Sequence, residues 1–125
     1  MEATRVLIVD DDPAVRRMLA EYLAEHGYAV AQAASGKEMR LELEREVPAA
    51  VLLDIGLPEL SGHEVARKIR ECCGEARPML IGISGRYKRG ADKSLAHLNG
   101  MNHYLVKPFD PSAILAFLAA LKKPD

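Results

Sequence analysis

The 125-residue chain contains no tryptophan and only two cysteines, and aromatic residues make up 5% of it. The cysteines, Cys72 and Cys73, are adjacent, a spacing that fits neither a disulfide framework nor a pair of zinc ligands. We therefore expect them to be packing residues on a helix. No apolar run approaches the roughly 20 residues needed to cross a bilayer, and the N-terminus shows no signal-peptide pattern. These absences predict a cytoplasmic protein that does not contact a membrane.

An excess of one charge is also lacking, because 17 basic side chains oppose 18 acidic ones and the net charge is -1. Such a balance provides no overall attraction to nucleic acid, and we expect no direct nucleic-acid binding. Any function that depends on charge must therefore be local. With 49% hydrophobic and 28% charged residues, the composition is that of an ordinary globular protein, and the length predicts one domain over residues 1–125.

Short apolar runs that end in turn residues alternate with stretches of helical periodicity. This alternation is typical of an α/β fold with a parallel sheet, and right-handed connections with both faces covered predict a doubly wound (βα)5 architecture. The second strand ends without a chemically distinctive group, which favours an edge position. The predicted strands are Arg5–Val9, Ala29–Ala33, Ala50–Asp54, Met79–Ser84 and Tyr104–Val106.

The helix starts carry recognisable capping patterns. Asp12 precedes Pro13, so Asp12 is predicted to cap the first helix, which ends at Gly27. The second and third helices each open with a capping box, a serine followed three residues later by glutamate. The fifth helix repeats the Asp-Pro opening, and the fourth is the most weakly indicated. These patterns lie at Ser35 to Glu38, Ser61 to Glu64, Asp110-Pro111 and Ala91 to Leu98.

Polar residues lie at the carboxyl ends of four predicted strands. Asp10 and Asp11 follow the first strand, Asp54 ends the third and Ser84 ends the fourth, while Lys107 follows the fifth. Ligands of open α/β sheets bind beyond these strand ends, so we expect the five side chains to share one edge. Two negative charges ~4 Å apart at an effective dielectric of ~20 repel by ~4 kcal/mol. The carboxylates therefore predict a bound cation.

The residue types suit phosphoryl transfer assisted by a metal. Carboxylates and a backbone carbonyl favour a hard cation such as Mg²⁺, or Mn²⁺ in its place. An aspartate beside that metal can attack a phosphoryl group and form an acyl phosphate. Ser84 can donate a hydrogen bond to a phosphoryl oxygen, and Lys107 can supply a compact positive charge. The sequence thus predicts a site that accepts a phosphoryl group.

Four ordered motifs resemble the receiver domain of two-component response regulators over essentially the whole chain: residues 6–13 (VLIVDDDP), 51–58 (VLLDIGLP) with Gly62, Ile83-Ser84, and 104–108 (YLVKP). The resemblance implies a flavodoxin-like sheet with strand order 2-1-3-4-5. It implies that Asp54 is the phosphoacceptor, forming 4-aspartylphosphate. It also implies that Asp11, Asp54 and the Gly56 carbonyl contact the metal, with Asp10 helping directly or through water, and that the Lys107-Pro108 bond is cis.

The same resemblance implies a signalling role. A histidine kinase, or a histidine-phosphotransfer domain, would donate its phosphoryl group to Asp54. The added charge would draw Ser84 inward and let Tyr104 follow, so that these two residues form a switch. The surface around the fourth helix, the last strand and the fifth helix would then repack. The chain would catalyse only its own phosphorylation and dephosphorylation. It would either stand alone or belong to a hybrid sensor kinase or a larger regulator. The sequence does not indicate its output partner.

The sequence leaves two alternative functions open. A phosphatase of the haloacid-dehalogenase type would use Asp10 and Asp12 as nucleophile and general acid, although a further acidic motif after its lysine is missing. A degenerate receiver would bind partners without phosphorylation, but every expected active-site residue is present. The sequence contains neither a G-x-G-x-x-G motif nor a P-loop, which argues against dinucleotide binding and nucleotide hydrolysis.

Overall fold

A computed structural model describes residues 3–54, 67, 69–71, 73, 78–84 and 101–122 of the chain. Five parallel strands form one sheet in the order β2-β1-β3-β4-β5, which confirms the predicted α/β architecture and the edge position of the second strand. The strands are β1 (Arg5–Val9), β2 (Ala29–Ala33), β3 (Ala50–Asp54), β4 (Met79–Ser84) and β5 (His103–Val106).

Helices cover the sheet at both faces. They are α1 (Pro13–Glu25), α2 (Gly36–Arg45) and a C-terminal helix (Ser112–Ala119) that continues into a 3-10 turn (Ala120–Lys122). Residues 67, 69–71 and 73 are also helical and belong to the predicted third helix. The predicted fourth helix and the capping box at Ser61 lie outside the described residues. Within the part of the chain that is described, no helix is long and apolar enough to span a membrane.

Alternating side chains of the strands build a separate core on each face of the sheet. Leu7 and Leu53 face α2 and the helical segment at Ile69, while Ile8 and Leu52 face α1 and the C-terminal helix. All five residues of β3 are buried, as expected of a central parallel strand covered on both sides. Cys73 packs against the first of these cores, which agrees with its predicted packing role; Cys72 lies outside the described side chains.

Two sequence-based details need correction. β5 begins at His103, one residue earlier than predicted, because His103 pairs with Ile81 of β4 and its ring stacks on Phe117 with centroids 3.9 Å apart. The helical spacing of Met18 with the other apolar residues of α1 predicts a buried side chain, but Met18 is 45% exposed and Ala20 is buried instead. In both cases packing against a neighbouring element, rather than the periodicity of the segment, decides the outcome.

The predicted caps form with small shifts of partner. The Ser35 hydroxyl accepts a hydrogen bond from the Glu38 amide at 3.2 Å, while the Glu38 carboxylate reaches back to the amide of Ala34 rather than that of Ser35. The Asp110 carboxylate accepts from the Ser112 amide at 3.0 Å, and hydrogen bonding from Ser112 lowers the pKa of Asp110. The C-terminal helix begins at Ser112, and its cap position is Pro111, which makes no side-chain hydrogen bond. Asp110 thus lies one residue before the cap position rather than at it.

Helix α1 ends in a Schellman motif. The amide of Gly27 donates to the Ala24 carbonyl and the amide of Tyr28 donates to the Leu23 carbonyl, both at 3.1 Å. Gly27 adopts φ +93°, the left-handed conformation that this motif requires and that glycine adopts without strain. This ending directs the chain into β2 and seats the Tyr28 side chain in the core.

We predict that Gly27→Ala lowers the free energy of unfolding by about 1 kcal/mol, because a Cβ at positive φ contacts its own backbone. Gly27→Asn should cost less, since asparagine tolerates this conformation better. Urea denaturation of the two variants measures the difference. Equal losses for alanine and asparagine would contradict the assignment of the motif.

Candidate functional site at the carboxyl edge of the sheet

The register of the sheet brings the predicted acids together. Val9 of β1 lies opposite Leu53 of β3, so the residues that follow them, Asp10 and Asp54, lie side by side at the carboxyl edge. One carboxylate oxygen from each of Asp10, Asp11 and Asp54 lies within 4.8 Å of the others. Asp10 and Asp54 are buried and Asp11 is exposed. The structure therefore brings the three acids into one group, as the sequence predicted.

Four hydrogen bonds hold Asp10 in place. Its amide donates to the Ala33 carbonyl at 3.1 Å, and its own carbonyl accepts from Nη1 of Arg16 at 2.8 Å. Carboxylate oxygen Oδ1 accepts from the Asp12 amide at 2.9 Å, and Oδ2 accepts from Lys107 Nζ at 3.2 Å. Every polar group of this residue thus has a protein partner, which satisfies a carboxylate that is almost fully removed from water.

Lys107 immediately follows β5, the edge strand at the other end of the sheet from β2. Its ammonium group contacts the cluster at Asp10. Its peptide bond with Pro108 is cis, as the resemblance implied. The Lys107 side chain is 25% exposed and that of Asp10 is 3% exposed, so the ion pair is shielded from solvent mainly on its acidic side. The structure therefore places the Lys107 ammonium group against Asp10 at this edge of the sheet.

Asp12 belongs to α1 rather than to the cluster. Its carboxylate accepts hydrogen bonds from the amides of Ala14 and Val15 at 3.0 and 3.4 Å, which is the predicted helix cap. A side chain turned into this cap is poorly placed to act as a general acid. The geometry therefore disfavours the phosphatase alternative, which needs Asp12 beside Asp10 as its proton donor.

The remaining predicted residues are described to different extents. Ser84 is the last residue of β4 and its backbone lies opposite Val106, but its side chain is outside the described part of the structure, as is Gly56. Tyr104 lies on β5, half-buried against the core. Its hydroxyl group is buried and has no hydrogen-bond partner in the described structure.

Arg16 lies at the site but was not predicted from the sequence. This half-buried residue of α1 donates to the Asp10 carbonyl and, through Nε, to Oε1 of Gln32 at 3.2 Å. Its position four residues after the cap Asp12 places it one turn into α1, above the loop that carries the acids. This spacing from Asp12 could have indicated that Arg16 lies near the acids. An arginine on a first helical turn is ordinarily a surface residue, however, so the spacing alone does not single it out.

The profile of the response regulator receiver domain family matches residues 6–119. The chain belongs to this family. The match includes all of the acidic cluster, Lys107 and the five strands except for Arg5, the first residue of β1. The receiver domain predicted from the four motifs is thus confirmed.

Curated relatives agree with this assignment. A 14.6 kDa uncharacterised protein of Leptolyngbya boryana is 37% identical over 88% of this receiver domain and 83% of its own length. The response regulator MprA of Mycolicibacterium vanbaalenii is 38% identical over 94% of the chain, which spans 49% of MprA. The CAI-1 autoinducer sensor kinase/phosphatase CqsS of Vibrio cholerae is 36% identical over 93% of the chain and 17% of its own length.

Solved structures show the same fold. A CheY-like receiver domain from Methanospirillum hungatei superposes with a TM-score of 0.86 at 28% identity, covering 96% of this chain and 94% of that one. The response regulator TrrA of Thermotoga maritima, solved in complex with Mg²⁺-BeF, has a TM-score of 0.81 at 30% identity, with 94% and 98% covered. The receiver fold is therefore shared over nearly the full length of each chain.

Charge repulsion within the receiver site leads to a prediction for the metal-free protein. Asp11→Asn should raise the free energy of unfolding by roughly 1 kcal/mol or less, because it removes one exposed charge from a crowded cluster. Asp12→Asn is the matched control. Asparagine caps a helix as well as aspartate does, so this variant should be neutral or slightly destabilised. Thermal unfolding in chelator measures both, and a larger gain for Asp12→Asn would contradict the assigned roles.

Proposed function

We propose that the chain accepts a phosphoryl group on Asp54 from a phosphohistidine, in a reaction that requires Mg²⁺ or Mn²⁺. The observation that carries this proposal is the grouping of three carboxylates within 4.8 Å, with buried Asp10 paired to Lys107. Membership of the receiver family supports it. A single receiver unit over residues 1–125, acting in the cytoplasm, is part of the same proposal.

The donor set suits a hard divalent cation. Three clustered carboxylate oxygens are the ligands that Mg²⁺ prefers in proteins. We infer that Asp11, Asp54 and the Gly56 carbonyl would contact the ion directly. Because both carboxylate oxygens of Asp10 already accept protein hydrogen bonds, Asp10 would assist through water. When bound, the ion neutralises charge on the phosphoryl oxygens and on the attacking carboxylate.

Asp54 is the proposed nucleophile because it is a buried carboxylate at the end of the central strand β3 and because the resemblance to receiver domains implies this role for it. In the transfer, an oxygen of Asp54 forms a bond to phosphorus while the bond from phosphorus to the donor imidazole nitrogen breaks. The imidazole keeps the electron pair of that bond and takes up a proton. Lys107 and Ser84 are proposed to bind the phosphoryl oxygens, so that Lys107 would exchange part of its contact with Asp10 for the new anion.

The proposed switch links the site to β5. An acyl phosphate carries ~-1.5 to -2 charge, as other phosphorylated side chains do, in place of the single charge of the Asp54 carboxylate. A hydrogen bond from Ser84 to it would draw the end of β4 inward. Tyr104 would then change position, because its buried hydroxyl lacks a hydrogen bond in the described structure and no such bond would have to break. The repacked surface would include β5 and the C-terminal helix.

The proposed partners are a histidine kinase or a histidine-phosphotransfer domain. The chain matches part of a sensor kinase and about half of a response regulator. These matches support a role with such partners, either within a sensor kinase or within a response regulator. We propose that the receiver itself binds no nucleic acid and no membrane, because its charges are balanced. Its chemistry would be limited to its own phosphorylation and dephosphorylation.

We predict that incubation with Mg²⁺ and acetyl phosphate adds a single, base-labile phosphoryl group, because Asp54 forms an acyl phosphate. Intact mass spectrometry measures the product. The adduct should be absent without divalent metal and absent in Asp54→Asn.

Asp12→Asn is the control for this experiment, since it makes the same change of charge two residues from Asp10 while keeping the helix cap. It should be phosphorylated at the rate of the wild type. Continuous release of phosphate from simple esters with no protein adduct would instead support the phosphatase alternative and overturn the proposal.

We predict that Tyr104→Phe raises the free energy of unfolding of the unphosphorylated protein by about 1 kcal/mol, because an unsatisfied buried hydroxyl is removed. Phosphorylation of Asp54 should continue at an unchanged rate. Tyr22→Phe on α1 should give no such gain. A loss of stability in Tyr104→Phe would show that the hydroxyl group already has a stabilising partner and would argue against the proposed switch.

A further inference from the structure

We propose that Arg16 is a positioning residue for the metal ligands: it fixes the peptide between Asp10 and Asp11, so that the Asp11 carboxylate is held beside Asp10 and Asp54. The inference rests on the proposed binding of Mg²⁺ at the cluster. It concerns a residue that touches neither the metal nor the phosphoryl group.

The Arg16 guanidinium joins three elements. Nη1 donates to the Asp10 carbonyl at 2.8 Å, and Nε donates to the Gln32 side chain on edge strand β2 at 3.2 Å. The residue itself is anchored in α1 and is half-buried. A planar guanidinium with donors in a fixed arrangement can hold both acceptors at once, which the single ammonium group of lysine does less well.

These contacts determine the direction of the loop after β1. The Asp10 amide is fixed by the Ala33 carbonyl, and the Asp10 carbonyl is fixed by Arg16. Because a peptide unit is planar, fixing that carbonyl also fixes the amide and the Cα of Asp11. The Asp11 side chain is exposed, and within the described structure no hydrogen bond to its carboxylate is seen. Its place in the cluster therefore depends on the backbone that Arg16 holds.

The charge of Arg16 and its geometry have opposite effects on Mg²⁺ binding. A cation beside the acidic loop repels Mg²⁺, so removing it would strengthen binding if charge alone mattered. Removing a group that orients the ligands would weaken binding, as replacement of indirect partners of metal ligands usually does. The sign of the change in affinity thus distinguishes a positioning residue from a surface charge.

The experiment is a titration of the full chain with Mg²⁺, in which amide chemical shifts in NMR spectra report the binding. We expect Arg16→Ala to weaken Mg²⁺ binding about tenfold, at the lower end of the effect of such indirect partners. Arg16→Lys, which keeps the charge and one hydrogen bond, should recover part of the loss. Arg17→Ala removes the same charge from the adjacent exposed position and should leave the affinity unchanged or slightly increased.

Gln32→Ala provides a second variant that keeps Arg16 and should fold even if Arg16→Ala does not, because the Gln32 side chain is exposed. It should weaken Mg²⁺ binding severalfold, less than Arg16→Ala. Unchanged or tighter binding in either Arg16→Ala or Gln32→Ala would overturn the positioning role. Absence of Mg²⁺ binding by the wild-type protein would instead overturn the proposed function on which the inference rests.

Discussion

Repulsion among three carboxylates at the end of the sheet is the constraint on which the rest of this structure depends. The sheet gathers one carboxylate oxygen from each of Asp10, Asp11 and Asp54 within 4.8 Å of the others. Such charges repel by ~4 kcal/mol at an effective dielectric of ~20 and by about 1 kcal/mol where water screens them, as at exposed Asp11. Stability of the whole domain is of order 5–15 kcal/mol. The fold can therefore keep this cluster only because Lys107 and backbone amides offset part of the repulsion, and the remainder favours binding of a cation.

The three aspartates of the loop after β1 have different roles because their surroundings differ. Asp10 is buried and has a protein partner at each polar group, so it anchors the loop and holds Lys107. Asp11 is exposed and suited to direct contact with a metal. Asp12 turns away into the cap of α1. The three adjacent aspartates thus anchor the loop, provide a proposed metal ligand and cap a helix, in that order. The proposed acceptor of the phosphoryl group is a different residue, Asp54 on β3.

The sequence predicted what depends on local pattern. Four of five strands have the predicted bounds, Asp12 caps the first helix, and the strand ends share one edge because parallel strands all point the same way. The sequence could not predict contacts that arise only when distant segments meet. These include the stacking of His103 on Phe117, the exposure of Met18, and the bridge from Arg16 to Asp10 and Gln32.

The most direct test of the proposed phosphorylation identifies which aspartate receives the phosphoryl group. Protein treated with Mg²⁺ and acetyl phosphate would be reduced with borohydride, which converts an aspartyl phosphate to homoserine, and peptides would be sequenced by mass spectrometry. We predict homoserine at position 54 alone. Homoserine at position 10, 11 or 12, with aspartate intact at position 54, would contradict it.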